Sequence, residues 1–295
     1  MNVIGFMGFG EAAPAIAEGL AETRASSLYA FDIAYESAPE RFTPRAARSG
    51  TKLLHSPAEL ASSCQLIFSL VTCTEAVPAA KSIAAHLASD HIYVDMNSAS
   101  PEVKREVSGI VEKGGARFVE AAVMSVVPPH RHRVPVLLCG KAAPELVSAL
   151  EAYGMNLEVL GDNIGAASAT KMFRSIIVKG MQALFIECLL AARHFGTEKR
   201  VLDTVTASYP GINWNDFANY LIGRSALHAG RQSHEMEEVS HTLESIGELP
   251  LMARATSERL RRFSEFGFKE VFGDSEPETY AEVLERLAAR KQNKN

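Results

Sequence analysis

Met1-Asn-Val-Ile-Gly-Phe-Met-Gly-Phe-Gly-Glu-Ala-Ala13 is the stretch whose reading decides the fold. Asn2 to Phe6 reads as a short apolar strand, Gly5, Gly8 and Gly10 as the turn it runs into, and Ala13 as an early residue of a helix. Glycine serves where a chain turns tightly and where backbone must approach a diphosphate with no side chain in between. The start of the following helix offers unpaired N–H groups and the positive end of its dipole to such an anion. Ala13 is small where that helix must close onto the strand. A second apolar run, Leu28 to Phe31, ends on Asp32, which lies 19 positions beyond Ala13. A ribose-binding carboxylate is expected about 20 residues on. The alternative is an ordinary tight strand-to-helix turn.

Outward from this stretch, short apolar runs alternate with helical patterns. Strands are expected at Val3–Phe6, Leu28–Phe31, Lys52–His55, Gln65–Leu70, Ile92–Asp95, Arg117–Ala121, Val134–Cys139 and Leu157–Leu160. Helices are expected at Ala12–Thr23, Pro57–Ser62, Glu75–Leu87, Pro101–Lys113 and Ala143–Tyr153. After Gly161 the pattern is helical throughout: one long helix over Ile164–Phe195, closed by Gly196, then Lys199–Ala207, Asn215–Ile222, Glu235–Ile246, Pro250–Phe263 and Glu278–Arg290. The tail Arg290–Asn295 is expected to fray. The fold class is α/β: a Rossmann-type, doubly wound, mainly parallel sheet over residues 1–162, joined by a long helix to an all-α domain over 163–295. That helix would span about 48 Å. Its apolar residues, Ile176, Ile177, Val178, Leu184, Phe185, Ile186, Leu189 and Leu190, cover more than one face, so it must be buried from several sides, which implies a homodimer.

The 295 residues are 47% hydrophobic and 22% charged, with a net charge of −5. That balance carries no nucleic-acid footprint, and no uninterrupted apolar run is long enough for a membrane span. The chain opens on a strand without a leader pattern, so a cytoplasmic protein is expected. Cys64, Cys73, Cys139 and Cys188 follow neither metal nor disulfide spacing and read as buried thiols.

Three further stretches could carry chemistry. Asp95-Met-Asn-Ser-Ala-Ser-Pro101 follows a strand and precedes a helix, where loops line the ligand crevice of such sheets. Ser100 and Pro101 suit the helix start, leaving Asn97 and Ser98 to meet a hydroxyl or carboxylate. Phe118 to Arg133 leaves a strand and becomes a basic, proline-braced loop; His130 and His132 lie among arginines, so a solvated loop is expected rather than a metal site. Lys171 stands early in the long helix, after small residues and before apolar ones. If buried, its pKa falls towards neutrality and it exchanges protons; otherwise it snorkels to solvent. Ser175 lies one turn on, on the same face.

In these motifs and their order the chain resembles the beta-hydroxyacid dehydrogenases, which include 3-hydroxyisobutyrate and 6-phosphogluconate dehydrogenases. Gly5-Phe-Met-Gly-Phe-Gly10 resembles the family's cofactor loop, Asp95–Pro101 its substrate motif, and Gly165–Lys171 the segment presenting its catalytic lysine. Where the family carries Ser-Gly-Gly, this chain has Met124, Ser125 and Val126; where it carries Lys-x-x-Asn-Asn, this chain has Lys171-Met-Phe-Arg174-Ser175. The family's later Lys-Asp pair falls at His234-Glu235. The runs Lys-Met-Phe-Arg-Ser and Glu-Met-Glu-Glu-Val-Ser-His-Thr-Leu resemble a phosphogluconate-dehydrogenase-like branch.

The resemblance implies a dehydrogenase or reductase passing hydride between NAD(P) and a hydroxy acid or its carbonyl form, with Lys171 as general acid and base. Asn97, Ser98, Ser125, Arg174 and Ser175 would meet this small-molecule substrate. Gly5, Met7, Gly8, Phe9, Gly10, Glu11, Asp32, Val71, Thr72, Asn97 and His234 would meet the cofactor. Asp32, followed by uncharged Ile33 and Ala34 rather than an arginine, favours NAD over NADP. Reduction of an imine, or a regulatory nucleotide-binding role without catalysis, are the alternatives. No metal is expected.

Overall fold

A computed structural model describes residues 3–23 and 27–292. Asn2, and the expected frayed tail from 293 on, lie outside them. The chain divides into two compact units, Met1–Lys171 and Met172–Asn295.

In the first unit eight strands form one sheet: β1 (Val3–Met7), β2 (Ser27–Phe31), β3 (Lys52–Leu54), β4 (Leu66–Ser69), β5 (Ile92–Asp95), β6 (Arg117–Val123), β7 (Val136–Cys139) and β8 (Leu157–Gly161). Their order is β3-β2-β1-β4-β5-β6-β7-β8, parallel throughout except where β6 meets β7. The switch from β1–β2 to β1–β4 puts a crevice at the ends of β1 and β4, the place where such sheets bind ligands. Helices α1 (Ala12–Ala21), α2 (Pro39–Ser49), α3 (Pro57–Ser63), α4 (Ala76–Ala84), α5 (Pro101–Lys113), a single turn α6 (Val127–His130) and α7 (Ala143–Leu150) connect the strands.

Both sheet faces are covered, which explains why the strands read as continuous apolar runs. Ile4, Phe6, Leu66, Phe68 and Val94 join Ile16, Leu20 and Leu146 in one core. Ile67, Tyr93 and Phe118 join Leu60, Ile83, Val107 and Val111 in the other. Gly5 belongs to this packing: a Cβ there would stand 2.9 Å from both Cys64 Sγ and Leu60 Cδ1. The expected caps form, with the Ser100 hydroxyl accepting from Val103 N–H and Pro101 opening α5.

Helix α8 (Ala166–Arg193) contributes its first turns to the first unit and the rest to the second. In the second unit Ile186 and Leu189 of α8 pack with α9 (Glu198–Ser208), α10 (Trp214–Ser245), α11 (Leu251–Ser264), α12 (Phe268–Phe272) and α13 (Tyr280–Gln292) around Met236, Leu260, Phe263 and Leu284. By length and apolar composition alone α8 could cross a membrane, although no uninterrupted apolar run does; 39% of its most apolar window is buried within the protein.

Three local expectations are corrected and one helix is added. Residues 215–222 and 235–246 are parts of one helix, α10, which runs on through Gly223, a packing glycine: a Cβ there would stand 2.6 Å from the Pro277 carbonyl oxygen. Helix α2 escapes the periodicity because only Phe42, Ala46 and Ser49 are buried and Pro44 lies inside it. The basic loop is not simply solvated: His132 is buried against Gly19 of α1, and Arg131 forks onto the Glu22 carboxylate at 2.7 and 2.8 Å. Of the four thiols, Cys64 and Cys139 are buried as expected, whereas Cys73 and Cys188 are exposed.

Candidate active site

The glycine loop is built by the ends of β1 and β2. Gly8 N–H donates to Phe31 O at 2.8 Å, carrying the pairing one residue past the strand. Its φ of +90° and the 2.6 Å at which a Cβ would meet Leu70 O and Val71 Cγ1 admit only glycine. Phe9 turns its ring into the core against Phe6 and gives its N–H to Asp32 Oδ2 at 2.8 Å. Asp32 Oδ1 accepts from Ala34 N–H at 3.0 Å. At Gly10 a Cβ would meet nothing within 4 Å, so backbone lies open to solvent directly before α1. A bare loop feeding a helix N-terminus, with a carboxylate at the end of the neighbouring strand, fits the diphosphate and ribose of a dinucleotide. Arg45 of α2 also reaches this loop, donating to Gly10 O at 2.6 Å. Met7 is buried beneath it and Glu11 is exposed at its far side.

At the end of β5 the structure separates the two residues expected to meet substrate. Asn97 is only 4% exposed. Its Nδ2 donates to Ser69 Oγ at 3.0 Å and its Oδ1 accepts from Val71 N–H at 2.6 Å. The amide is thus a strap between the β4 and β5 loops, because both its ends are engaged by β4-side partners. Ser98, next in sequence, is exposed. Lys171 Nζ donates to Ser98 Oγ at 3.0 Å, across 73 residues of chain. Lys171 is half-buried, between the two environments weighed from sequence. Thr72 and Ser125 are exposed on the neighbouring β4 and β6 loops.

Beneath this loop Asp95 meets a charge that an apolar helix face conceals, Lys104. Lys104 and Asp95 are both fully buried, with Nζ 3.1 Å from Oδ1. Nζ also donates to the Asp95 carbonyl oxygen at 2.8 Å. Removing one partner of such a pair typically costs about 3–5 kcal/mol, because the other charge is left dry. The signal for Lys104 is its place on the Pro101, Lys104, Val107, Val111 stripe of α5, an apolar face that a free lysine avoids.

Arg174, Ser175 and His234 belong to the second unit. Arg174 is exposed, and His234 faces solvent beside Glu237, 3.3 Å away. Ser175 accepts from Lys179 Nζ at 3.0 Å, and that ammonium also meets Glu235 Oε2 at 2.5 Å. Lys179 was missed; its signal is that Lys171, Ser175 and Lys179 recur every four residues along α8.

Comparison with known proteins places this crevice among NAD(P)-binding Rossmann domains with an all-helical C-terminal partner. Residues 3–161 match the family described as the NAD binding domain of 6-phosphogluconate dehydrogenase, and the chain belongs to that family. Residues 192–263 match a domain of unknown function, DUF1932. A conserved hypothetical protein from Sinorhizobium meliloti 1021 is 36% identical, with 98% of this chain and 97% of that one covered at a TM-score of 0.84. A second solved structure, described as similar to 3-hydroxyacid dehydrogenases, is 32% identical, with 89% and 97% covered at a TM-score of 0.78. The Mycobacterium tuberculosis 3-hydroxyisobutyrate dehydrogenase, solved with L-serine, is 16% identical, with 97% and 99% covered at a TM-score of 0.75; it shares the fold.

Proposed function

We propose that the protein is an NAD-dependent dehydrogenase or reductase acting on a hydroxy acid or the matching carbonyl, with Lys171 as the proton-carrying group. The observation that carries this is the hydrogen bond from Lys171 Nζ to Ser98 Oγ at 3.0 Å, which joins the lysine to the loop at the end of β5. A bound nicotinamide supplies the site for hydride. The remaining work falls to the chain. Ser98 accepts a hydrogen bond from the ammonium and so holds it for an oxygen of the substrate. In reduction Nζ gives a proton to that oxygen as negative charge develops on it; in oxidation neutral Nζ takes the hydroxyl proton. Asn97 keeps the loop in place from beneath.

NAD is the preferred cofactor because Asp32 would accept from both ribose hydroxyls and repel a 2′-phosphate. Ile33, the next residue, is 86% exposed and uncharged. The working form is a homodimer seated on the exposed side of α8. The test is Lys171→Ala under steady-state assay over a panel of hydroxy acids. We expect kcat to fall by at least about 100-fold, the size typical of a lost general acid, with NAD binding nearly unchanged. Near-normal turnover in that variant would end the proposal.

A further inference from the structure

Asp95 and Glu120 are register partners on the parallel strands β5 and β6, and both are 0% exposed. Register partners share a face of the sheet, so two carboxylates stand side by side without water. Each must be compensated, since an isolated buried carboxylate is costly. Asp95 is compensated by Lys104, as described. Glu120 is compensated by backbone: Oε2 accepts from Gly165 N–H at 2.5 Å and Oε1 from Ser168 N–H at 2.7 Å. These are N–H groups at the start of α8, which have no partner within the helix and carry the positive end of its dipole. Hydrogen bonds to an ionised acceptor are about twice as strong as neutral ones.

Both ends of the Lys171–Ser98 bond therefore trace back to this pair. Lys171 lies three residues past Ser168, about 4.5 Å along the helix axis. Ser98 lies three residues past Asp95, whose Oδ1 accepts from Asn97 N–H at 2.9 Å. Seating the first turn of α8 on Glu120 fixes where the Lys171 ammonium lands. Misplacement of a reacting group by 1 Å can cost about 100-fold in rate. We propose that Glu120 is a positioning residue: its buried carboxylate docks the start of α8 so that Lys171 meets Ser98. The inference rests on the reading of Lys171 as the proton-carrying group, and its first test does not depend on turnover.

The variant is Glu120→Gln, which keeps the shape but turns an amide donor towards one of the two N–H groups. The first readout is acetylation by acetic anhydride, followed by mass spectrometry at Lys171, with exposed Lys113 and Lys141 as internal references. We expect the Lys171 rate relative to those references to rise at least threefold in Glu120→Gln and to a similar extent in Ser98→Ala. An unchanged Lys171 rate in folded Glu120→Gln overturns the proposal, whether or not a substrate is known. The second readout is kcat in a double-mutant cycle with Lys171→Ala. Positioning predicts that Glu120→Gln lowers kcat strongly when Lys171 is present and by less than twofold when it is absent, with NAD affinity unchanged in both. Equal losses in the two backgrounds would make Glu120 merely structural and overturn the proposal. Lack of turnover by the wild type with every hydroxy acid would sink the proposed function, while the acetylation result would still decide the role of Glu120. Should Glu120→Gln fail to fold, Glu120→Asp, with the charge kept and the reach shortened, carries the same readouts.

Discussion

Asp32 holds two backbone N–H groups, from Phe9 and Ala34, one on each carboxylate oxygen. Each oxygen keeps a second lone pair for a ribose hydroxyl. Fluorescence titration should find NADH bound more tightly than NADPH, and Asp32→Ala should narrow the gap by removing both the attraction and the repulsion. Tighter binding of NADPH by the wild type would instead point to Arg45, already at the glycine loop. At this scale legibility followed the chemistry of solvent. Asp32 and Ser98 lie just past strand ends, as the turn signals imply, and Lys171 lies early in the long helix, as its small upstream neighbours imply. Glu120 and Lys104 were hidden in an apolar strand and an apolar helix face, because the groups that compensate them, the N–H groups of Gly165 and Ser168 and the carboxylate of Asp95, come from other elements of the fold. Asn97 was read as facing substrate since sequence alone cannot tell which way an amide turns; its partners, Ser69 and the backbone of Val71, are 28 and 26 residues away.

The boundaries of most elements were legible because caps and prolines mark them, as Ser100 and Pro101 do for α5. Helix α2 was not, since it buries too few apolar residues to show a period. The long helix carries a feature visible only once its inner face is known. Ile177 is 66% exposed and Leu184 60%, Met181, Cys188 and Ala191 fill the same stripe, and Phe195, 83% exposed, continues the spacing in the turn past the helix end. The spacing alternates four and three, the repeat of a coiled-coil seam. Ile186 and Leu189 on the opposite side are committed to the core of the second unit. A second copy of this chain would cover the seam. Leu184→Glu should convert the dimer to a monomer at micromolar concentration in light scattering, leaving the circular dichroism of the monomer unchanged. A wild-type monomer would refute the assembly.

Across the whole molecule, two histidines set the response to acid. Burial, with Arg133 and Arg131 beside it, holds His132 below the usual histidine range. Burial, with Arg231 and Arg224 nearby, does the same for His228. In the unfolded chain both return to about 6.5. Below that value the unfolded state binds protons that the folded state refuses, so stability falls as pH drops from about 6.5 towards the depressed native values, and is level above it. Glu258, held at about 2 by Arg261 and Arg262, and Glu22, lowered by Arg131, are exposed pairs whose small contribution is lost only below about 4.5. Urea denaturation between pH 8 and 5 should show this bend, and His132→Gln should flatten it. A wild-type curve level through pH 5 would show that neither ring is held neutral.

The uneven burial of the four cysteines makes the molecule its own gauge. Burial pushes the Cys64 thiol up to about 12 and raises Cys139, so neither forms the thiolate that attacks a disulfide reagent. Cys73 follows Thr72 on the loop beside the glycine turn, and Cys188 lies in the seam of α8. A chromogenic disulfide should therefore count four thiols in denaturant, two in a native monomer and one in a dimer. Addition of NAD should slow the Cys73 reaction, so a single colour change reads assembly and cofactor occupancy without any substrate.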